Sequence, residues 1–325
     1  MHSVPHVVRP GSTAALLRYL WRASPPLTAV GLLMLAAAAA SIVGIIIDPR
    51  VITGAPAWLK PFKFAVSIAL YSFTLAWIFS LLPDWPRVRR VVGWTTAVVF
   101  VLEVVLIDLQ AWRGTTSHFN VATPLDATFF FVMGAAILWQ TLVSVAVAVA
   151  LWRHHFVDRA LGWALRFGMV LTIAGALVGP MMTRPTAAQL AGARAGARMT
   201  ITGAHSVGGP DGGPGLPVTG WSSEHGDLRV AHFIGLHAIQ ALALAALGLR
   251  RWRRPEAARV RAVFAVTASY ASLFLLLLSG ALRGQSVIAP AAGALASLAI
   301  WAAATTIVLA WIAVSSRRDS AWRAA

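Results

Sequence analysis

The chain alternates between long apolar stretches and short polar ones. A helix that crosses the hydrocarbon core of a bilayer needs about 20 mostly apolar residues. These stretches are too long for membrane-spanning strands, and they lack the two-residue alternation that such strands require. The pattern therefore predicts eight transmembrane helices, at 27–47, 62–82, 91–110, 125–152, 161–182, 230–249, 262–282 and 291–314.

The composition agrees with this pattern. Hydrophobic residues make up 58% of the chain and charged residues only 12%, whereas soluble domains carry about 25% charged residues. The net charge of +16 would suit a nucleic-acid partner, but the basic residues lie between apolar stretches rather than along one soluble face. The absence of Cys excludes thiolate metal sites and a disulfide scaffold. We expect an all-α, polytopic membrane helix bundle with the lipid bilayer as its partner and no nucleic acid.

The distribution of Lys and Arg among the connecting loops predicts the orientation. Of the 27 basic residues, 17 lie in the N-terminal segment, the C-terminal segment and the loops 83–90, 153–160 and 250–261. The opposite set of loops holds nine, and Arg166 lies within the fifth predicted helix. Both termini are therefore predicted to be cytoplasmic, and the Gly/Pro-rich loop 183–229 is predicted to be extracytoplasmic.

A weak internal repeat is visible in the loops. The third and seventh predicted helices end in Arg113-Gly114 and Arg283-Gly284, and Pro124 and Pro290 precede the helices that follow. This fits two parallel four-helix halves, 1–160 and 161–325, within one integral membrane domain. Chance likeness is the alternative.

The predicted outer helix ends are chemically richer than the cytoplasmic loops. They mix acids, bases, amides and His with turn-forming residues, at 48–50, 58–63, 113–120 and 226–229. Some of these residues have structural explanations: Thr123 and Asp227 are predicted N-caps of helices, and Pro124 suits a first helical position. Function is expected in the outer half of the bilayer.

Other polar residues lie where the bilayer makes them costly. Glu103 is two turns inside the third predicted helix, where a charge costs about 3 kcal/mol or more unless it is paired, protonated or hydrated. In the sixth predicted helix, Gln240 shares a face with His237. The candidates for a polar pocket or a proton relay are Glu103, Asp108, Arg113, His118, Asn120, Arg229, His232, His237 and Gln240.

Three of these residues are also candidate ligands of haem or a metal ion: His118, His232 and His237. On a straight helix, residues five apart lie about 140° apart around the axis. His232 and His237 are therefore not expected to bind one small metal ion together, as an i, i+4 pair can. Haem b and a divalent metal both remain open as cofactors, with His118 as the partner from another helix pair.

The segments 221–222 and 226–240 form the motif W-S…G-D-L-R-x-x-H-F-x-G-L-H-x-x-Q. This motif resembles a family of bacterial multi-pass membrane proteins, and similar segments match 58–64, 113–114, 117–120 and 123–124. The resemblance spans most of the chain. It implies a bacterial cytoplasmic (inner) membrane location, and it carries no activity that can be transferred.

Membrane zinc hydrolases related to alkaline ceramidases and adiponectin receptors are a second comparison. Those seven-helix proteins use a His-x-x-x-His pair together with a His and an Asp from another helix. Here eight helices are predicted, and His232 and His237 are five residues apart. Both differences argue against close kinship.

Four functions remain in competition. The first is a polar pocket that binds or passes a small solute or protons, with Glu103 and His237 titrating and Arg113 and Arg229 as anion partners. The second is a membrane redox protein with b-type haem between His118 and His232 or His237. The third is a metal-dependent membrane hydrolase built from His118, Glu103 and a histidine of the sixth helix. The fourth is a structural or partner-binding role.

Overall fold

The computed structural model describes residues 12–252 and 254–322, and the protein is 72% helical with almost no sheet. The helices are α1 (Thr13–Ala23), α2 (Pro25–Ile47), α3 (Leu59–Ser80), α4 (Pro86–Trp112), α5 (Pro124–Arg153), α6 (Arg159–Met182), α7 (Ala187–Arg194), α8 (Leu228–Leu236), α9 (Ala238–Leu249), α10 (Glu256–Leu282) and α11 (Ala292–Trp322). Four two-residue strands form two antiparallel pairs, β1 (Val51–Ile52) with β2 (Ala55–Pro56) and β3 (Ser206–Val207) with β4 (Gly226–Asp227).

The prediction of an all-α multi-pass membrane protein is confirmed. Among the described residues, seven helices are long and apolar enough to cross a membrane: α2, α3, α4, α5, α6, α10 and α11. The helices α8 and α9 together make an eighth apolar stretch, bent by 47° at His237. The sixth predicted helix is therefore two shorter helices with a bend between them.

Helix ends follow local sequence signals. Pro86 and Pro124 each occupy the first position of a long helix, where the missing N–H of proline leaves no helical hydrogen bond unmade. Helix α4 ends at Trp112, and Gly114 follows its C-cap with a φ of +73°, in the left-handed region that glycine adopts without strain. The loop 183–229 contains α7, which begins at a capping box formed by Thr186 and Gln189 and which the apolar pattern does not predict.

The chain divides into two compact units. Unit 1 comprises residues 1–150 and 183–203, and unit 2 comprises residues 151–182 and 204–325. The four-helix repeat with halves 1–160 and 161–325 stays a prediction, as does the single integral domain.

In unit 1 the helices α2, α3, α4 and α5 enclose an apolar core. Its buried members include Met34 on α2, Ile68 and Ala69 on α3, and Phe100 on α4. The loops 48–58 and 113–123 lie at the same end, because Arg50 Nη1 donates a hydrogen bond to the Trp112 carbonyl at 2.8 Å. The segment 183–203 joins them there, since Val121 N donates to the carbonyl of Thr200 at 2.9 Å. We call this end the polar end of unit 1.

In unit 2, α6 packs against both α8 and α9. The crossing with α8 is close because it is made of glycine: a Cβ built on Gly175 would lie 2.5 Å from the backbone of Gly235. Small residues of this kind let membrane helices approach each other closely.

Candidate functional site

Three charged or titratable side chains form a chain at the polar end of unit 1. The Nζ atom of Lys60 lies 3.1 Å from His118 Nδ1, and His118 Nε2 lies 3.4 Å from Glu103 Oε1. A lysine ammonium can only donate, so His118 Nδ1 accepts and the ring proton sits on Nε2, directed at Glu103. We call Lys60, His118 and Glu103 the relay.

The relay extends from the helix ends into the bundle. Lys60 is in the first turn of α3, whereas Glu103 lies nine residues before the end of α4, at a depth of about 14 Å. Glu103 is only 2% exposed. His118 bridges this difference in depth, and its side chain retains 26% exposure.

The loop 113–123 folds so that His118 reaches into the bundle. It turns at Gly114 and again at Phe119, whose φ of +66° is unusual for a residue with a side chain. The buried ring of Phe119 packs edge-on against Phe130 at 6.0 Å, and the ring of His118 lies 5.6 Å from that of Phe64. Aromatic packing thus holds the loop in a conformation that its backbone alone would disfavour.

The surroundings of His118 keep its ring neutral. Burial lowers the pKa of His118 below its ordinary value, and the positive charge of Lys60 lowers it further, while the contact with Glu103 opposes both effects. A neutral ring at pH 7 agrees with Nδ1 as an acceptor. Glu103 then faces an N–H group rather than a full positive charge.

The second oxygen of Glu103 is buried as well. Its Oε2 atom has no hydrogen-bond partner among residues 12–252 and 254–322. Buried polar atoms nearly always have a partner. Glu103 is thus held through one oxygen and keeps the other open.

A second cluster lies nearby in the same loop region and is fully paired. Asp126 Oδ1 accepts from Arg113 Nη1 at 2.7 Å and from Gln110 Nε2 at 2.9 Å, and Arg113 also donates to the Gln110 amide oxygen. Asp126 Oδ2 accepts from the Thr123 hydroxyl at 2.6 Å, and Thr123 Oγ1 accepts from Asp126 N, which confirms Thr123 as the helix cap. The charge of Arg113, predicted as an anion partner, is paired within the protein.

Two further candidates of unit 1 lie outside the relay. Asn120 Nδ2 donates to Thr115 Oγ1 at 2.9 Å and its Oδ1 accepts from Ala122 N at 3.0 Å, so this side chain fixes the loop. Asp108 lies on a different face of α4 from Glu103. Its Oδ1 atom is buried and has no hydrogen-bond partner in the described part of the chain.

One histidine of unit 2 precedes the bend in the α8–α9 pair, and the other lies at the bend. His232 Nδ1 lies 2.7 Å from the Gly175 carbonyl, to which its ring N–H donates between helices. His237 is the residue at the bend itself. The sequence analysis assumed a straight helix, whereas the helix axis changes direction by 47° at His237; the angle of about 140° between the two side chains stays a prediction.

The bend frees backbone groups, and neighbouring helices satisfy them. Ile239 N donates to Thr172 Oγ1 of α6 at 3.3 Å, and Tyr270 of α10 donates its hydroxyl to the Ile234 carbonyl at 2.6 Å. Such replacements are what allow a broken helix to persist at membrane depth. Gln240, three residues beyond His237, is buried at 8% exposure.

Arg229, the other predicted anion partner, is also paired. It forms an ion pair with Asp227 at 2.6 Å and donates to the Gly220 carbonyl. Asp227 Oδ1 accepts from Arg229 N at 2.9 Å, which confirms Asp227 as the N-cap of α8. Arg229 and Asp227 therefore hold the loop before α8 to the helix start.

The arrangement of the histidines bears on the haem and metal hypotheses. Both ring nitrogens of His118 lie within 3.4 Å of other side chains. In the described ranges, His, Asp and Glu residues form no group of three or more that could hold a metal ion. His118 belongs to unit 1 and His232 and His237 to unit 2. A haem or metal bound by these residues stays a prediction.

Unit 2 contains a small open groove beside the start of α8. Its lining combines Leu276, Leu277 and Leu298 with the polar residues Arg283 and Gln285. None of the nine candidates predicted from the sequence lines it. The groove and the relay are separate features.

Lys60 is the relay member that sequence reasoning did not select. The pattern placed it among the basic residues at a predicted outer helix end, and its partner His118 is 58 positions away. One signal was available: Lys60 and Lys63 are the only lysines in the chain, which uses Arg at 25 other positions. A lysine is a compact charge whose proton can be shared with a neighbour more readily than that of arginine.

Comparison of the chain with family models, with curated proteins and with solved structures found no match. The likeness of the 221–240 motif to bacterial multi-pass membrane proteins therefore stays a prediction.

Proposed function

We propose that this multi-pass membrane protein takes up and releases protons at Glu103, in exchange with the solution at the polar end of unit 1. The observation that carries the proposal is the chain of contacts from half-buried Lys60 through His118 to the buried Glu103. Intramembrane carboxylates and histidines arranged in this way are typical of proton relays.

The chemistry of the relay supports exchange in both directions. Lys60, or a water molecule at the exposed edge of the ring, delivers a proton to His118 Nδ1. The proton already on Nε2 then passes to Glu103 Oε1, which becomes a neutral carboxylic acid. The reverse transfers return the proton to the solution and restore the carboxylate, so the relay undergoes no net change.

Energetics favour Glu103 as the proton acceptor. An ionised carboxylate at this depth costs about 3 kcal/mol or more unless it is paired. His118 offers one N–H at 3.4 Å, and Oε2 has no partner within the described residues. A proton on Glu103 removes that charge, whereas Asp126 is already stabilised by Arg113, Gln110 and Thr123.

The haem and hydrolase hypotheses receive less support from the same residues. To coordinate iron or zinc, His118 would have to release Lys60 or Glu103. A proton relay instead keeps both contacts of the His118 ring, with Lys60 and with Glu103.

Infrared difference spectroscopy of the full-length protein in lipid vesicles tests the proposal. Acidification is expected to produce a carboxylic acid C=O band that is absent from Glu103→Gln. Glu224→Gln makes the same chemical change at a side chain that is 57% exposed, and it should keep the band.

A second variant keeps the test independent of folding. His118→Gln leaves Glu103 in place but interrupts the relay, so the band should appear more slowly after a pH step. The proposal is overturned if the wild type and Glu103→Gln, shown to be equally folded by thermal unfolding, give identical spectra.

A further inference from the structure

One face of α4 carries a polar side chain at every seventh position: Arg89, Thr96, Glu103 and Gln110. Seven residues make almost two full turns, so these side chains share a face with a drift of about 20° per step. From Arg89 to Gln110 the stripe covers about 32 Å of helix. The hydrocarbon core of a bilayer is about 30 Å thick, so the stripe is long enough to cross it.

The half of the stripe beyond Glu103 contains buried polar atoms that have no hydrogen-bond partner in the described part of the chain. Thr96 is 0% exposed, and neither its Oγ1 nor Arg89 Nε has a hydrogen-bond partner in residues 12–252 and 254–322. Arg89 itself is fixed by Nη2, which donates to the Ala23 carbonyl at 2.9 Å. Leaving such atoms without any partner costs about 1–3 kcal/mol each.

Two neighbouring helices add polar atoms of the same kind. Ser72 of α3 is 0% exposed and Gln140 of α5 is 6% exposed. The hydroxyl of Ser72 and both amide atoms of Gln140 are buried without a hydrogen-bond partner in the described residues. Three helices of unit 1 therefore each carry a buried polar group that has no hydrogen-bond partner in the described residues.

These groups lie at one level of the bundle. Thr96 is 16 residues before the end of α4, and Gln140 is 16 residues after the start of α5, so both are about 24 Å from the polar end. Ser72 is 13 residues into α3, at about 20 Å, and its neighbour Tyr71 packs against Phe100 at 5.5 Å. We call Ser72, Thr96 and Gln140 the polar layer; it lies beyond Glu103 on the way to Arg89.

We propose that the polar layer holds a short chain of water molecules that connects Glu103 to the opposite end of unit 1, so that protons taken up by the relay cross the bilayer. This inference rests on the proposed function. Hydroxyl and amide groups both donate and accept hydrogen bonds, as a water chain requires, whereas an apolar cavity would stay dry. A proton leaves Glu103 along this chain, and the carboxylate is restored. His118, which the transfer leaves protonated on Nδ1, returns to the Nε2–H tautomer by exchange with water at the exposed edge of its ring, and the next proton then enters.

Proton flux into vesicles of the full-length protein tests the path. A pH-sensitive dye is enclosed, and a potassium gradient with valinomycin supplies the driving potential. Thr96→Val replaces only the hydroxyl by a methyl group of similar size, and we expect it to lower the flux about tenfold or more, which corresponds to about 1.4 kcal/mol in barrier height. Thr96→Ser keeps the hydroxyl and should retain the flux.

Matched controls separate the path from general damage. Thr95→Val makes the same change at the adjacent, half-buried position on another face of α4, and it should conduct as the wild type does. The unfolding temperature of Thr96→Val should not fall, because the hydroxyl it removes has no protein partner in the described ranges. If it does fall, Ser72→Ala provides the second test of the layer, with a reduced flux expected.

The flux and infrared results separate the proposed water path through the polar layer from the proposed proton binding at Glu103. If the wild type passes no protons, or if folded Thr96→Val and Ser72→Ala both conduct at the wild-type rate, the path is overturned. In either case the infrared band of Glu103 still decides whether the relay binds protons. Loss of flux in Thr96→Val with an unchanged Glu103 band supports the path specifically.

Discussion

Glu103 and Asp126 are both buried acids of unit 1, at 2% and 4% exposure, but their surroundings differ. Asp126 accepts from an arginine, an amide and a hydroxyl, and it caps its own helix. Glu103 contacts one neutral imidazole and leaves Oε2 without a partner in the described residues. Asp126 therefore stabilises the loop 113–123, whereas Glu103 can change its charge without releasing that loop.

The pairing of Asp126 leads to a prediction at the scale of single residues. Arg113→Met leaves a buried carboxylate without its cation, so the free energy of unfolding should fall by about 2 kcal/mol. This is below the range for fully buried pairs, because Arg113 is about a quarter exposed. Chemical unfolding in detergent measures the difference.

Arg283→Met is the matched control, since Arg283 is exposed and forms no ion pair in the described part of the chain. It should leave the free energy of unfolding almost unchanged. Equal losses for the two variants would contradict the assignment of Asp126 to a structural role.

At the scale of elements, the lengths of the apolar stretches and the helix-capping residues account for most of the helices that were predicted correctly. The apolar runs predicted every spanning helix, and Thr123 and Asp227 marked two helix starts correctly. The bend at His237 escaped prediction because no proline lies there, and the bend depends on Thr172 and Tyr270 of other helices. Sequence reasoning joined His118 to Glu103 only through a bound metal ion, and the contact of Lys60 with His118 was hidden, since it forms only when α3, α4 and their loops have packed.

The close crossing of α6 and α8 gives a prediction at this scale. Gly175→Ala places a methyl group 2.5 Å from the backbone of Gly235, so the helices must separate and the His232 hydrogen bond to residue 175 must lengthen. The expected cost is about 1–3 kcal/mol. Thermal unfolding of the purified protein measures it.

Gly134→Ala on α5 is the control for this prediction. Nothing lies within 4 Å of a Cβ built there, and alanine in a helix is favoured over glycine by about 1 kcal/mol. This variant should unfold at the wild-type temperature or above it. If Gly175→Ala were as stable as Gly134→Ala, the close packing of α6 on α8 would be wrong.

At the scale of the whole molecule, the number of helices and the distribution of positive charge together predict the orientation of the chain in the membrane. Among the described residues, counting the bent α8–α9 pair as one span gives eight candidate crossings, and an even number of crossings would place both ends of the helix bundle on one side. The 17 basic residues in one set of loops predict that this side is the cytoplasm.

The natural absence of Cys makes the orientation directly testable. Gly213→Cys lies in the loop predicted to be extracytoplasmic, and Arg87→Cys lies at an exposed position predicted to be cytoplasmic. A maleimide that cannot cross membranes should label only Gly213→Cys in intact cells and both variants after lysis. The reverse pattern would contradict the predicted topology.

The central claim is that a neutral His118 connects Lys60 to Glu103, and nitrogen NMR of the full-length protein with ¹⁵N-labelled histidine tests it most directly. His118→Gln assigns the signal by its disappearance. At neutral pH the account predicts an unprotonated Nδ1 and a protonated Nε2, and Lys60→Met should raise the pKa of the ring, because a positive charge that opposes its protonation is gone. A proton on Nδ1 with a bare Nε2, or a pKa that does not respond to Lys60→Met, would contradict the account.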